Sequence, residues 1–445
     1  MEGLGPVTED ELAAPLGLEP KEIAAPLAAL ETEGFALRGQ FTPGAAVDEW
    51  CERRLLARIH RYTVNRLRAE IQPVAARDFL RFLLAWQRVA PDTRMEGPDA
   101  LEVLVRQLEG FEAPAGAWET EILPARLEGY EPSWLDDQCL AGRVVWVRLR
   151  PRNGRQNGGE RSATPVRTTP ITLLARRHAG LWASLSSTEN PVRPSSRAQA
   201  VAEYITQYGA SFFDELVEGT GLLRPQVEEA LAELVASGIV NSDSFAGLRA
   251  LLRKPVAGRR RRTLMFGMES AGRWALARRV QPQQTKPEAV EHLARILLLR
   301  YGVVFWRLLE REATWLPPWR DLLRVYRRLE ARGEIRGGRF VAGVAGEQYA
   351  LAEVIPSLRS SSDDSGDKHL TLPATDPLNL VGILTPGPRL AALTGNRLLY
   401  RDGLPIAFFA GGEVQFLETL DPTTQWEAHK SLLRGAVPAS LIALS

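Results

Sequence analysis

EIAAPLAALETEGFALRGQF, residues 22–41, sets a cadence that QVEEALAELVASGIVNSDSF (226–245) and DLLRVYRRLEARGEIRGGRF (321–340) repeat. Ile23, Leu27, Leu30, Gly34 and Phe41 of the first copy correspond to Val227, Leu231, Leu234, Gly238 and Phe245, then to Leu322, Tyr326, Leu329, Gly333 and Phe340. Apolar residues four and three apart fall on one helical face. The glycine four positions later can take the left-handed conformation that ends a helix. FALRGQF, IVNSDSF and EIRGGRF then follow, each β-prone with a polar or glycine-bearing middle, which predicts a tight hairpin. Helix, glycine stop and hairpin make up the second half of a winged helix. The upstream halves agree, because Gly5 to Leu12 matches Gly209 to Leu216 in length, and only the third copy is stretched, by two residues.

Working outward, the expected fold is mainly α with small β wings: tandem winged-helix domains followed by a C-terminal β-barrel. Residues 1–48 form the first winged helix, 197–255 the second and 286–358 the third. Between them, 49–185 reads as a helical region with a diverged winged helix, because SWLDDQCLAGRVVWVRL (133–149) repeats the helix, glycine, strand order around Gly142. Residues 49–71 predict one long helix and 74–89 a second. The segment 151–169 has no apolar periodicity and predicts a loop. In 368–445, PLNLVGIL, RLAALTG, RLLYRDG, LPIAFFAGG and EVQFLETL predict short strands that curl into the barrel, with TTQWEAHKSLL as a capping helix.

Composition excludes several classes. The two cysteines, Cys51 and Cys139, are too few for a disulfide framework or a four-thiolate zinc site, and suit the cytoplasm. No apolar run reaches the roughly 20 residues of a membrane span. GxxxxGK[ST], HExxH, paired CxxC and GxSxG are all absent, which removes a Walker ATP site and the common metal- and serine-hydrolase readings. The five histidines are scattered along the chain, so no metal cluster is expected. The chain itself is expected to hold no cofactor.

Net charge is only +1, so any nucleic-acid surface must be local. The first two helices in the recognition position carry too much acid to face phosphate, whereas PPWRDLLRVYRRLEARG (317–333) is basic. Arg53, Arg54, Arg58 and Arg61 belong to the predicted 49–71 helix, where Arg54, Arg58 and Arg61 share a face and could meet successive phosphates. The alternative is a solvated face paired to acids. Arg259, Arg260, Arg261 and Arg262 form a second basic cluster, a phosphate clamp or a soluble joint. Trp315 and Trp319, beside two prolines, are the expected exposed pair among eleven tryptophans, suited to stacking on unpaired bases. Asp376, in ATDPLNL, reads as a turn residue or as a carboxylate that orients water against a sugar carbon after base extrusion. Asn379, Asn396, Arg397 and Asp402 would complete a polar pocket there, although Asp402-Gly403 needs no role beyond a hairpin turn.

CERRLLARIHRYTVNRLR (51–68), FLRFLLAWQ (79–87), GFEAPAGAWETEILPAR (110–126), DPLNLVGIL (376–384) and NRLLYRDGLPIA (396–407) resemble the C-terminal region of the bacterial large helicase-related (Lhr) proteins, over most of the chain. The resemblance implies a winged-helix series and β-barrel attached to an N-terminal ATP-driven DNA helicase core, which would hold ATP and magnesium and is missing here. It also implies DNA as partner, assembly as a homo-oligomer, in the family a tetramer, and similarity to winged-helix DNA glycosylases, with an associated uracil-DNA glycosylase activity. The paired glutamines of those glycosylases have no counterpart. Gln87 stands alone, and Gln281 and Gln283 sit in a proline-bearing connector. Three functions are therefore open: a DNA-binding and oligomerisation module of a repair helicase, a uracil-DNA glycosylase with Asp376 as its catalytic carboxylate, and a protein-docking scaffold without DNA contact.

Overall fold

The computed structural model describes residues 3–69, 71–150, 166–186, 194–252, 267–268, 271–277, 286–361 and 369–434. They divide into two compact units, residues 1–72 with 337–339, and residues 73–336 with 340–445.

In the first unit, Thr8 and Glu11 exchange hydrogen bonds in a capping box that starts the Glu9–Ala13 helix. The Pro20–Thr32 helix follows, its Ile23 and Leu27 turned into a core with Ala13, Ala36 and Trp50. Gly34, at φ +72°, ends it as expected. Strand Ala36–Gly39 then pairs antiparallel with Glu49–Glu52, which bridges Val7 through Trp50 on its other side. The Arg53–Ala69 helix leaves directly from that strand, so the expected long helix starts later than residue 49.

The second unit repeats this sheet order three times. The return strand lies in the centre each time, giving Ala113–Pro114 beside Pro170–Ala175 beside Val144–Val147, Ser211–Phe212 beside Arg273–Leu276 beside Val240–Ser242, and Val303–Val304 beside Gln348–Leu351 beside Ile335–Gly338. The diverged module around Gly142 is therefore a winged helix, with Gly142 at φ +71°. The tight hairpins expected within the three segments do not form: FALRGQF and EIRGGRF each give one strand, Ala36–Gly39 and Ile335–Gly338, whose partner returns only at Glu49 and Gln348, and IVNSDSF gives Val240–Ser242 alone. Phe245 opens a further helix, Phe245–Leu252, and the strand that closes the sheet comes from Arg273–Leu276, beyond the 197–255 expected for this module. A three-strand sheet needs a partner for the strand after the glycine, but nothing requires that partner to be next in sequence.

The C-terminal part is an open antiparallel meander of four strands, His369–Pro373, Arg397–Arg401, Leu404–Ala410 and Glu413–Phe416, and among the described residues it does not close into the expected barrel. PLNLVGIL and RLAALTG are not strands. Side-chain hydrogen bonds from Asn379 to the carbonyls of Ala374 and Leu390 gather residues 374–390 into a loop. Four strands are too few to close. The helix Pro422–Arg434 does cap the sheet, burying Ala428 and Leu432 against Leu399, Ile406 and Ala407. The hairpin turn falls where expected, at Asp402 and Gly403, φ +50° and +79°. A Cβ on Gly403 would come 2.6 Å from the Arg77 carbonyl oxygen, so the turn needs glycine to sit on the Ala76–Trp86 helix. Arg81 of that helix binds Asp402 Oδ1 through Nε (3.0 Å) and Nη2 (2.7 Å).

Among the described residues no helix is long and apolar enough to cross a membrane. Both cysteines are free and buried. Burial raises the Cys51 thiol pKa and pushes that of Cys139 up to about 12. Iodoacetamide at pH 8 is therefore expected to label neither until the chain is denatured, as mass spectrometry would show. Two glycines separate backbone strain from packing. Gly333 (φ +74°) has no neighbour within 4 Å of an added Cβ, so Gly333→Ala should cost only the left-handed penalty of about 1–2 kcal/mol. At Gly110 (φ +80°) that Cβ would lie 1.9 Å from the buried Trp182 ring, and Gly110→Ala should lower the unfolding temperature at least twice as far.

Candidate nucleic-acid interface

The three repeated helices share an apolar inner face and differ on the outer one. Leu322, Val325, Tyr326 and Leu329 of the Trp319–Ala331 helix are buried, which leaves Arg320, Arg324, Arg327 and Arg328 facing outward against only Asp321 and Glu330. The side chains of Arg320 and Arg324 are 79% and 76% exposed and lean on Asp321 at 3.6 and 3.4 Å. Arg327 pairs with Glu347, and Arg328 reaches Glu291 at 3.8 Å. Exposed pairs of this kind are worth little and can yield to phosphate. The Arg224–Ala236 helix differs: its Glu233 is spent on the backbone N–H and hydroxyl of Ser195, at the start of the neighbouring Ser196–Tyr208 helix. Its acid packs an N-terminus.

In the other unit, Arg53, Arg54, Arg58 and Arg61 are all exposed. The expected stripe is thus solvated rather than neutralised in a core. On the same helix Leu55, Leu56, Ile59 and Leu67 are only half-buried, and Tyr62 is 71% exposed. Arg259 to Arg262 lie outside the described residues, as do Gln281, Gln283 and residues 151–165.

Trp315 and Trp319 are not the exposed pair. Both are half-buried, because Trp315 Nε1 donates to Glu112 Oε1 (3.1 Å) and Trp319 packs against Tyr326 with ring centroids 5.7 Å apart. Burial holds the Glu112 carboxyl above its ordinary range despite that bond. The exposed tryptophans are Trp306 (41%), with the Arg307 guanidinium over its ring, and Trp426 (63%), with Lys430 over its ring. The sequence holds a weak sign of this, since each has a basic residue one or four positions on.

Asp376 is both more and less than expected. Its Oδ1 accepts the Leu378 N–H at 2.9 Å, as the side chain of a turn residue does. Its carboxylate is also gripped by Arg126, Nη1 to Oδ2 at 2.7 Å and Nη2 to Oδ1 at 2.9 Å, and both side chains have no exposed surface. Arg126 also binds the Gln87 side chain, and Gln87 in turn donates to the Arg300 carbonyl. Arg311 donates to the Asp376 and Thr375 carbonyls, while Arg300 pairs with buried Glu312. A water-orienting carboxylate needs a lone pair open to a substrate cavity. Here both oxygens are engaged in a closed seam, so this geometry does not support Asp376 as that group. Nor do its neighbours line an opening: Asn396 bonds the Ala391 carbonyl, Arg397 the Leu432 carbonyl, and Asp402 is held by Arg81.

Comparison with known proteins points the same way as the folds. The family model described as "Large helicase-related protein, winged-helix domain" matches in two forms, the third such domain over residues 74–174 and the fourth over residues 283–370. The second range contains the sheet centred on Gln348–Leu351, and the first contains the sheet centred on Pro170–Ala175 except for its last residue. The chain is 29% identical over 443 residues to "Lhr helicase/ probable uracil glycosylase" of Mycolicibacterium smegmatis, covering 93% of this chain and 28% of that protein. It is 28% identical over 430 residues to "Lhr helicase/uracil glycosylase" of Escherichia coli K12, covering 86% and 26%. The chain thus spans about a quarter of the length of these curated relatives.

The buried seam makes a stability prediction. Asp376→Ala leaves the Arg126 guanidinium uncompensated in the interior and should cost about 3–5 kcal/mol in urea unfolding. The double change Arg126→Met with Asp376→Leu, which removes both charges, should cost much less.

Proposed function

The chain belongs to the winged-helix C-terminal region of the large helicase-related proteins, and from that premise we propose that it is the DNA-binding and oligomerisation module of an Lhr-type DNA repair helicase. The helicase core, with its ATP and magnesium, would lie in the part of the relatives that this chain does not span. The observation that carries the reading is the outward guanidinium face of the Trp319–Ala331 helix, which holds the recognition position in its module, the helix that a DNA-binding winged helix lays in the major groove. The exposed Arg54, Arg58 and Arg61 stripe supplies a second set of backbone contacts. The half-buried leucines of that helix support assembly, with a homotetramer as the specific expectation, tested by sedimentation equilibrium.

Fluorescence anisotropy with a duplex oligonucleotide tests the DNA contact. Binding should weaken steeply between about 50 and 200 mM salt, in the manner of several phosphate contacts. Arg320→Ala with Arg324→Ala should weaken binding about tenfold irrespective of sequence and lower the salt slope by about 2. Affinity that ignores both salt and these changes would instead favour a docking scaffold.

The names of both relatives include uracil glycosylase, and that favours a second reading in which the chain also hydrolyses the N-glycosidic bond of uracil. Because Asp376 is sealed against Arg126, such chemistry would require the seam to open around a flipped base. Abasic sites formed on uracil-containing DNA, and lost in Asp376→Asn with binding and folding retained, would support it. Binding without abasic product would leave the binding module alone.

A further inference from the structure

The histidines are not all dispersed. His178, in the turn before the Ala179–Leu185 helix, and His292, on the Lys286–Tyr301 helix, meet over one carboxylate, Glu109, just beyond the Pro98–Gln107 helix. Their imidazole centroids lie 4.3 Å apart. Glu109 Oε1 is 3.0 Å from His178 Nδ1 and 3.3 Å from His292 Nε2, and the three groups offer ligand atoms all within 4.8 Å of one another.

Glu109 has no exposed surface, and among the described residues no arginine or lysine pairs with its carboxylate. Its side-chain partners are two imidazoles and the Trp182 indole N–H, which donates to Oε1 at 2.9 Å. A buried carboxylate is ordinarily held by a fixed cation or a metal ion. Here the positions for a cation are taken by two metal-binding nitrogens. We propose that Glu109, His178 and His292 form a zinc-binding site that clasps the third and fourth Lhr winged-helix domains, with Glu109 from the one, His292 from the other and His178 from the turn directly after the first.

Two imidazoles and one carboxylate are an established zinc donor set. Zinc–ligand bonds of about 2.0–2.2 Å put tetrahedral ligand atoms roughly 3.4 Å apart, so the two carboxylate–imidazole edges have to open by only a few tenths of an ångström. Trp182 orients the carboxylate, and the Arg300 Nη2 donates to the Glu109 carbonyl, which fixes the backbone beneath it. His178 and His292 keep 23% and 16% of their side-chain surface, which gives the ion a way in and leaves room for water as fourth ligand. One contact has to yield. Arg177 Nε donates to His178 Nε2 at 3.2 Å, and zinc on Nδ1 would put the proton on that same nitrogen. Arg177 is exposed and can turn into solvent.

The test uses the whole chain, stripped with chelator and titrated with zinc in a calorimeter, beside His178→Asn and His292→Gln. Asparagine and glutamine place an amide N–H near Nδ1 and Nε2 respectively, so each variant keeps a hydrogen bond to Glu109 while losing a good zinc ligand. The expected result is one zinc per chain, weakened about 100-fold or more in either variant, with a zinc-dependent rise in unfolding temperature only in the parent. The proposal is overturned if the parent takes up no stoichiometric zinc, if both variants bind it as the parent does, or if another divalent ion is preferred at these residues. Should a variant fail to fold, zinc-edge absorption spectroscopy of the parent decides: two imidazoles with no sulfur support the site, and any other ligand set rejects it.

Discussion

The second unit depends on a guanidinium meeting a carboxylate out of reach of water. Arg126 and Asp376 stand 250 positions apart, and their bidentate pair brings the winged helix centred on Pro170–Ala175 and the C-terminal meander into one register. Removing two such charges from water costs several kcal/mol per ion, and the pair recovers this only through good geometry and further hydrogen bonds. Gln87, the Ile122 carbonyl and the Leu378 N–H supply those bonds. Arg300 and Glu312 form a second buried pair nearby, so the seam between domains is polar and directional rather than merely greasy. A seam of this kind tolerates few alternative dockings, because each misplaced partner would leave a charge unpaired.

The four winged helices divide their work between two faces. In the three repeated helices the inner face is the same apolar solution, and the outer face varies without disturbing it. Glutamates occupy the outside of the Arg224–Ala236 helix and help to hold its neighbour, whereas arginines occupy the outside of Trp319–Ala331. A single backbone unit can thereby serve packing in one place and present a basic surface in another, with surface charge as the variable.

Features set within a few residues were legible in the sequence. The four-and-three stripes, the left-handed Gly34, Gly142, Gly238 and Gly333, and the Asp402-Gly403 turn all appear where their local physics places them. Features that depend on distant partners were not. The strand completing the Val240–Ser242 sheet comes from Arg273–Leu276 because edge backbone groups accept any compatible strand. Asp376 was readable as a turn residue through Leu378, while Arg126 left no trace near it. Trp315 and Trp319 looked exposed beside their prolines, yet Glu112 and Tyr326 arrive from elsewhere to cover them. The meeting of His178 with His292 is the same kind of event, decided by how the Lys286–Tyr301 helix packs.

The sheet order shared by all four modules has a practical consequence. Because the return strand sits in the middle, the span joining it to the strand after the glycine is topologically free, and the second module already accommodates a whole extra helix, Phe245–Leu252, in that span. The corresponding span between Gly39 and Glu49 of the first module is a natural graft point, where an epitope or a fluorophore-bearing peptide would ride outside the hydrophobic interior.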